Sequence, residues 1–170
     1  MDLGCHVLAD GQQVWLRPIQ REDATALVEA FSELSAESKY LRFLTGAPLL
    51  NEQAVRYLTD VDGENHVAIV AVAGAPSGAG SHGVGVARFI RLVDEPDAAE
   101  AAVTVVDRYQ RKGLGTLLLC ALRDEARLRG VRVLRATALP SNLAVRKFVE
   151  AARGSMRVDA AGSVIVEVPL

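Results

Sequence analysis

The residues from Val103 to Gly130 place a strand, a glycine-containing turn and a helix in direct succession. The segment from Val103 to Val106 is uncharged and β-branched, which is typical of a buried strand, and Asp107 ends it. After the turn, apolar side chains recur every three or four residues, and Gly130 offers a natural C-terminal stop. The apolar positions of this helix are Leu114, Leu117, Leu118, Ala121, Leu122, Ala126 and Leu128. We therefore expect a βα unit around which the remaining elements are organised.

The turn inside this βα unit has the features of an anion-binding site. The backbone N–H groups in the first turn of a helix have no intrahelical partners, and the helix dipole is positive there. Gly113 and Gly115 carry no Cβ, so a phosphate can approach the main chain closely. The side chains of Arg111 and Lys112 add positive charge.

Two common phosphate-binding loops do not fit this turn. A Walker A loop needs four residues between its glycines and then Lys-Ser/Thr, which the turn lacks. A Rossmann fingerprint needs a third glycine where this chain has Leu118. An ordinary βα turn with helix-capping glycines is the alternative to an anion site.

Composition limits the classes of protein that fit the chain. The 170 residues are 50% apolar and 24% charged, which predicts a single globular domain over residues 1–170. The net charge of −2 gives no overall attraction to nucleic acid or to an anionic membrane. No apolar run could span a bilayer and no signal peptide is evident, so we expect a cytoplasmic protein. Cys5 and Cys120 do not suggest a disulfide framework, and no Cys/His cluster has the spacing of metal ligands, so no metal is expected.

The remaining segments alternate between strands and helices. We expect a loose lead-in over residues 1–11 and a flexible connection over 74–83. Strands are predicted at 13–18, 66–72, 84–92, 100–106 and 131–138, followed by a hairpin of 157–158 and 163–168. Helices are predicted to begin at the caps Asp23, Ser35, Asn51 and Asn142, with a chain break at Pro48. This order predicts an α/β or α+β fold with a mixed sheet.

The segment Gln110-Arg111-Lys112-Gly113-Leu114-Gly115 resembles the pyrophosphate-binding motif Q/R-x-x-G-x-G/A of the GNAT acetyltransferase superfamily. The order of elements is similar to the GNAT fold over almost the whole chain. Segments 16–19, 22–24, 34–43 and 58–62 look like the acetyltransferase domain of bacterial Pat-type protein lysine acetyltransferases. The resemblance implies a mixed, mostly antiparallel sheet of about seven strands flanked by helices, with a splay between the fourth and fifth strands.

The same resemblance implies acetyl-CoA as cosubstrate and assigns residues to it. The residues implied beside the pantetheine arm are Val103, Thr104 and Val105. Those implied around the pyrophosphate are Gln110, Arg111, Lys112, Gly113, Leu114, Gly115 and Thr116. Asn142 is implied near the pantetheine and its sulfur end, and Arg146 near the cofactor. Main-chain N–H groups are expected to hold the pyrophosphate, and the pantetheine amides can pair with strand backbone as an added strand would.

The implied reaction transfers an acetyl group to a primary amine, with a protein lysine as the expected acceptor. A lysine amine has an unperturbed pKa of about 10.4, so a base must take its proton as it attacks. Glu100 is the expected base, because Pat-type enzymes have a glutamate at this place. The plainer interpretation makes Glu100 one more solvated acid of the 94–100 segment. Glu64 and His66 are the other candidates.

One position departs from the family pattern. Many members carry a tyrosine seven residues after the helix asparagine, as the acid that reprotonates the leaving thiolate, and this chain has Val149 there. Three functions are therefore kept: a protein lysine acetyltransferase whose targets include an acyl-CoA synthetase, an acetyltransferase of small amines, and a non-catalytic acyl-CoA-binding module. An unrelated phosphate-binding α/β protein is the most distant alternative, and a homodimer is compatible with any of them.

Overall fold

The protein is described by a computed structural model over residues 3–44, 50–76 and 80–170. Its strands are β1 Gly4–Val7, β2 Gln13–Pro18, β3 His66–Ala73, β4 His82–Arg91, β5 Ala98–Val105, β6 Val133–Ala138, β7 Ser155–Val158 and β8 Val164–Pro169. Its helices are α1 Ala24–Ser32, α2 Ala36–Phe43, α3 Glu52–Thr59, α4 Leu114–Leu128 and α5 Leu143–Ala151, with short 3₁₀ turns at Arg21–Asp23 and Asp107–Tyr109. Pro48 and part of the 74–83 connection lie outside the described residues.

The strands form one sheet in the order β1-β2-β3-β4-β5-β6-β8-β7. Every neighbouring pair is antiparallel except β5 and β6, which are parallel. The predicted mixed, mostly antiparallel sheet flanked by helices is therefore confirmed. Within the described residues, no helix has both the length and the apolar character needed to cross a membrane.

The sheet has eight strands and not about seven, because the expected loose lead-in contains β1. This strand pairs antiparallel with β2, from Gly4 opposite Leu16 to Val7 opposite Gln13. Its own side chains are largely outside the core, and Val7 is exposed. The short β1 segment thus has too little hydrophobic alternation to predict a strand, and its order comes from hydrogen bonds to its neighbour.

The predicted helix cap at Asp23 is wrong, whereas those at Ser35, Asn51 and Asn142 are confirmed by hydrogen bonds to backbone N–H groups. The Asp23 carboxylate accepts hydrogen bonds from the Arg17 guanidinium at 2.6 and 2.7 Å. It also accepts one from the backbone N–H of Gln20 at 2.8 Å. These bonds orient the carboxylate toward β2 and the 3₁₀ turn, so α1 begins without a side-chain cap.

Helix α4 packs on one face of the sheet and supplies the centre of the core. Leu114, Leu118 and Leu122 are fully buried there, together with alternate residues of the central strands. The opposite face carries a second cluster formed by Ile19, Ala68, Val70 and Val72, on the side of α1 to α3. Successive β3 residues alternate between the two clusters, as the pleat of a strand requires.

Strands β5 and β6 separate after a short parallel pairing. They pair only from Ala98 opposite Val133 to Glu100 opposite Arg135. Beyond Glu100, β5 continues to Val105 with no strand of the described chain paired to its β6 side, and its residues 101–105 are half-buried. The splay expected between the fourth and fifth predicted strands is thus present between β5 and β6. The buried strand predicted at 103–106 is wrong for residues 103–105, which are half-buried because this opening exposes one edge of β5, whereas Val106 is buried as predicted.

Replacing Leu118 by Ala tests the role of α4 in the core. Leu118 is 0% exposed, so the substitution leaves a cavity and should lower the free energy of unfolding by about 2–5 kcal/mol. Leu128→Ala is the control on the same helix, because Leu128 is 72% exposed and the change should stay within about 0.5 kcal/mol. Urea denaturation followed by circular dichroism measures both. Equal effects of the two substitutions would contradict the placement of α4.

Candidate active site

The turn between β5 and α4 presents a series of unused backbone donors. Gly113 is the N-terminal cap of α4 with φ of 91°, and Arg111 also has a left-handed conformation with φ of 58°. The backbone N–H groups from Lys112 to Thr116 donate to no group among the described residues. The first turn of α4 contains no acidic side chain that would cancel the positive helix dipole. We name this backbone segment, 112–116, the N–H cradle.

Two side chains of the motif are bound to other parts of the protein. The Lys112 ammonium lies 2.8 Å from a carboxylate oxygen of Asp10 and 3.3 Å from the side-chain oxygen of Gln12. Gln110 donates from its amide nitrogen to the Val105 carbonyl oxygen and to the Ser38 hydroxyl, each at 3.0 Å. These side chains hold the turn in place, and the backbone N–H groups of residues 112–116 are left without acceptors within the described residues.

Gly115 has no structural need to be glycine. A Cβ atom built there would lie 3.8 Å from Cγ2 of Val105, an ordinary van der Waals contact, and Gly115 has no positive φ. The position is half-buried, at the start of α4. Because neither packing nor backbone conformation requires glycine here, close approach of a ligand to the main chain is the reason that fits.

The free edge of β5 adjoins the cradle. Val103 and Val105 pack toward α4 and the main core, while Thr104 faces the side of α1 and α2. Beyond Glu100 the edge of β5 toward β6 makes no ladder, so its backbone groups can pair with an extended ligand. The three predicted strand residues and the cradle are thus consecutive parts of one βα unit.

Glu100 lies where β5 and β6 separate. Its carboxylate is exposed and makes no hydrogen bond or ion pair within the described residues. Arg135, opposite it on β6, is bound to Glu95 at 2.6 Å and to Glu167 at 2.7 Å, and these carboxylates raise the pKa of Arg135. Burial lowers the pKa of Arg42 on α2, and the negative charge of Glu100 opposes that shift. Within the described residues, Glu100 is therefore a carboxylate without a hydrogen-bond or ion-pair partner, at the opening between β5 and β6.

In His66, the alternative base, the ring nitrogen Nε2 is already hydrogen-bonded to Arg88. Nε2 lies 3.1 Å from Nη1 of Arg88, and since arginine can only donate, Nε2 must accept. Burial lowers the pKa of His66, the charge of Arg88 lowers it further, and Asp62 raises it. To take a proton at Nε2, His66 would have to give up the contact with Arg88.

Glu64, the other alternative, lies at the opposite end of α4 from the cradle. Its carboxylate is 3.9 Å from the guanidinium of Arg129, the residue that ends α4. Glu100 lies at this same end of the sheet, because His66 pairs with Ile90 on β4 and Ile90 pairs with Glu100 on β5. Glu64 differs from Glu100 in lying two strands away from the opening between β5 and β6 and in having a charge partner.

Arg88 is a residue that the sequence analysis did not assign to the site. It is 5% exposed, and Nη1 donates to the Leu58 carbonyl oxygen at 3.1 Å, near the C-terminal end of α3. Burial and the neighbouring charge of Arg42 lower the pKa of Arg88 to about 10. With Arg42 and Thr104, it lines a cavity of about 80 Å³ between the sheet and helices α1 and α2. An arginine in an alternating strand gives no sequence signal that distinguishes it from a solvent-facing residue.

The α5 residues have three different environments. The side-chain oxygen of Asn142 caps the helix by accepting from the backbone N–H of Val145 at 3.2 Å. Arg146 is exposed on the same helix. Val149 is 1% exposed and packs with Val166 and Val168. Position 149 therefore lies in a hydrophobic cluster and offers no proton donor.

No group of three or more potential metal ligands is found in the described part of the chain.

Comparison with known proteins identifies relatives of this arrangement. A family model described as an acetyltransferase (GNAT) domain matches residues 13–154. Acetyltransferase Pat of Mycolicibacterium smegmatis is 32% identical over 140 residues, which cover 82% of this chain and 40% of that protein. The chain therefore spans less than half of that relative.

Two solved structures share the fold. The crystal structure of the GNAT domain of S. lividans PAT has a TM-score of 0.86 and 31% identity, covering 98% of this chain and 96% of that one. The structure of yncA, a putative acetyltransferase from Salmonella typhimurium with its cofactor acetyl-CoA, has a TM-score of 0.69 and 18% identity, covering 92% of each chain. At that lower identity the likeness to yncA shows the fold alone.

The substitution Gly115→Ala tests whether the cradle binds a ligand. It introduces no clash and no positive φ, so stability should be maintained or rise slightly, because alanine favours helix. Affinity for acetyl-CoA should fall about tenfold or more, since a methyl group then crowds the backbone donors. Isothermal titration calorimetry measures the affinity, and thermal unfolding measures the stability.

Gly83→Ala serves as the control, in strand β4. Its Cβ would lie 3.4 Å from the Ala26 carbonyl oxygen, away from the cradle, and acetyl-CoA affinity should be unchanged. Unaltered affinity in Gly115→Ala would show that the ligand does not approach this turn.

Proposed function

This chain belongs to the GNAT acetyltransferase family, and we propose that it transfers the acetyl group of acetyl-CoA to a primary amine, with Glu100 as general base. The observation that carries the proposal is the N–H cradle at the start of α4, next to an open strand edge and an unpaired carboxylate. We further propose that residues 1–170 act as one catalytic domain in the cytoplasm.

The cradle fits the diphosphate of coenzyme A in both charge and shape. Its unused N–H groups and the helix dipole favour an anion, and Gly113 and Gly115 leave the backbone open. The exposed side chains of Arg111 and Thr116 are available for further contacts with phosphate oxygens. In this proposal the free edge of β5 from Val103 to Val105 holds the pantetheine arm by backbone hydrogen bonds.

Bound acetyl-CoA supplies the thioester carbonyl that the amine attacks. Glu100 lies at the point where β5 loses its partner, so its carboxylate can reach the opening directly or through one water. It takes the proton from the attacking amine, whose lone pair is otherwise occupied at neutral pH.

The leaving thiolate has no tyrosine donor at position 149, because Val149 is buried in an apolar cluster. This observation favours the competing function, an acyl-CoA-binding module without turnover. An alkyl thiol with a pKa near 8.5 is a fair leaving group near neutral pH, so solvent water can supply the proton. The unpaired Glu100 is the feature that favours an enzyme.

A protein lysine is the acceptor that the resemblance to Pat-type enzymes implies, and we propose this class, with an acyl-CoA synthetase among the candidates. The chain corresponds to 40% of the M. smegmatis Pat relative, so the proposal concerns the catalytic domain only. Incubation with acetyl-CoA and cytoplasmic protein, followed by mass spectrometry, should reveal acetylated lysines. Acetylation confined to small amines would instead assign the second class of acceptor.

The substitution Glu100→Gln tests the base. It keeps the size of an exposed side chain but removes the proton acceptor, so kcat should fall about a hundredfold to ten-thousandfold. Affinity for acetyl-CoA should stay within about twofold, because the cradle is unchanged. Thiol release and calorimetry provide the two measurements.

Glu64→Gln is the comparison variant, because Glu64 is the other candidate carboxylate and is paired with Arg129 at 3.9 Å; its kcat should equal that of the wild type if Glu100 is the base. An unchanged rate in Glu100→Gln would refute the base assignment. Acetyl-CoA binding without thiol release by the wild type, across both acceptor classes, would instead establish the binding module.

A further inference from the structure

The segment that follows β5 is tied to the corner between α1 and α2. Asp107 accepts hydrogen bonds from the Ser35 backbone N–H at 3.0 Å, from the Ser35 hydroxyl at 2.6 Å and from the Ser38 hydroxyl at 3.0 Å. Gln110 donates to the oxygen of the same Ser38 hydroxyl at 3.0 Å. We name these four residues, Ser35, Ser38, Asp107 and Gln110, the α2 latch.

The proton arrangement in the latch is fully determined. Ser35 also caps α2 by accepting from the backbone N–H of Ser38, so its own hydroxyl proton is free to point at Asp107. The Ser38 hydroxyl donates to Asp107 and accepts from Gln110. Every group that faces Asp107 in the latch is therefore a donor, and only an ionised carboxylate satisfies all of them.

The ionisation of Asp107 supports this arrangement. Burial raises the pKa of Asp107, but the hydrogen bonds from Ser35 and Ser38 outweigh burial and leave it below its ordinary value. The negative charge also lies at the N-terminal end of α2, where the helix dipole is favourable. A carboxylate about 70 positions away in the sequence thus completes the N-terminal cap of α2.

The latch connects two parts of the proposed site. Gln110 binds both Ser38 and the carbonyl oxygen of Val105, the last residue of the open strand, immediately before the N–H cradle. Helix α2 in turn packs against β5, the strand that carries Glu100. The contacts therefore join the cradle, through the latch, to a helix that lies beside the strand of the proposed base.

We propose that Asp107 is a positioning residue that couples occupancy of the cradle to the order of α2, the helix that packs against the strand of Glu100. This inference rests on the proposed function and deepens it. It assigns Asp107 no contact with the cosubstrate: its role is exerted through Ser35 and Ser38.

Hydrogen–deuterium exchange of the full chain, with and without acetyl-CoA, tests the coupling. In the wild type, acetyl-CoA should slow exchange both in the cradle and in α2, residues 36–43. In Asp107→Ala, the cradle should keep its protection and acetyl-CoA affinity should stay within about threefold, whereas the ligand-induced protection of α2 should be lost.

Arg108→Ala is the matched control. Arg108 belongs to the same 3₁₀ turn but pairs with Glu33, after α1, at 3.0 Å and does not contact α2. Its removal should leave the ligand-induced protection of α2 unchanged. Loss of that protection in both variants would show a general effect of the turn and overturn the assignment to Asp107.

Ser38→Ala removes the α2 partner of Asp107 and provides a second test if Asp107→Ala does not fold. It removes the bonds to Asp107 and Gln110 but keeps the Ser35 cap, and it should weaken the ligand-induced protection of α2. Protection of the cradle without protection of α2 in the wild type would refute the coupling and leave the proposed function intact. Failure of calorimetry to detect acetyl-CoA binding in the wild type would refute both.

Discussion

The architecture of the candidate site depends on the early end of the pairing between β5 and β6. Three residue pairs, from Ala98 to Glu100 on β5, hold the two strands together, and then the ladder stops. Backbone groups left without a ladder inside a sheet must find another partner, and an extended ligand is one that fits both the polarity and the direction of the strand. The separation also leaves the Glu100 carboxylate at the mouth of the opening and places the N-terminal end of α4 at the end of the free edge.

The rigidity of this opening comes from the packing behind it. Leu114, Leu118 and Leu122 are fully buried between α4 and the sheet, so the cradle is the end of a fixed helix and not a loose loop. Lys112 and Gln110 extend this support, because their side chains bind Asp10 and Ser38 on two different sides of the turn. Specific side chains hold the turn, and the main chain is left for the ligand.

Much of this arrangement could be predicted from sequence, because its determinants are local. The periodicity of α4, the glycines of the motif, and the caps Ser35, Asn51 and Asn142 each depend on residues a few positions apart. The βα unit and the motif were therefore assigned correctly to their elements, and the splay followed from the family resemblance. The roles of individual residues in binding and catalysis remain proposals.

What the sequence could not predict depends on contacts between distant residues. β1 is ordered by pairing with β2, and Asp23 binds Arg17 in place of capping α1. Arg88 becomes a buried residue only when α3 places the Leu58 carbonyl over it. The contacts of Asp107 with Ser35 and Ser38 join segments about 70 positions apart. In each case a polar side chain has several possible local partners, and tertiary packing selects a remote one.

The central claim is that unused backbone N–H groups at the start of α4 bind the diphosphate of coenzyme A. The most direct measurement is a titration of the ¹⁵N-labelled protein with acetyl-CoA, followed by amide chemical shifts. We expect the amide protons of residues 112–116 to show the largest downfield shifts, because new charge-assisted hydrogen bonds form there. Saturable binding that leaves those amides unshifted and perturbs another surface would contradict the account.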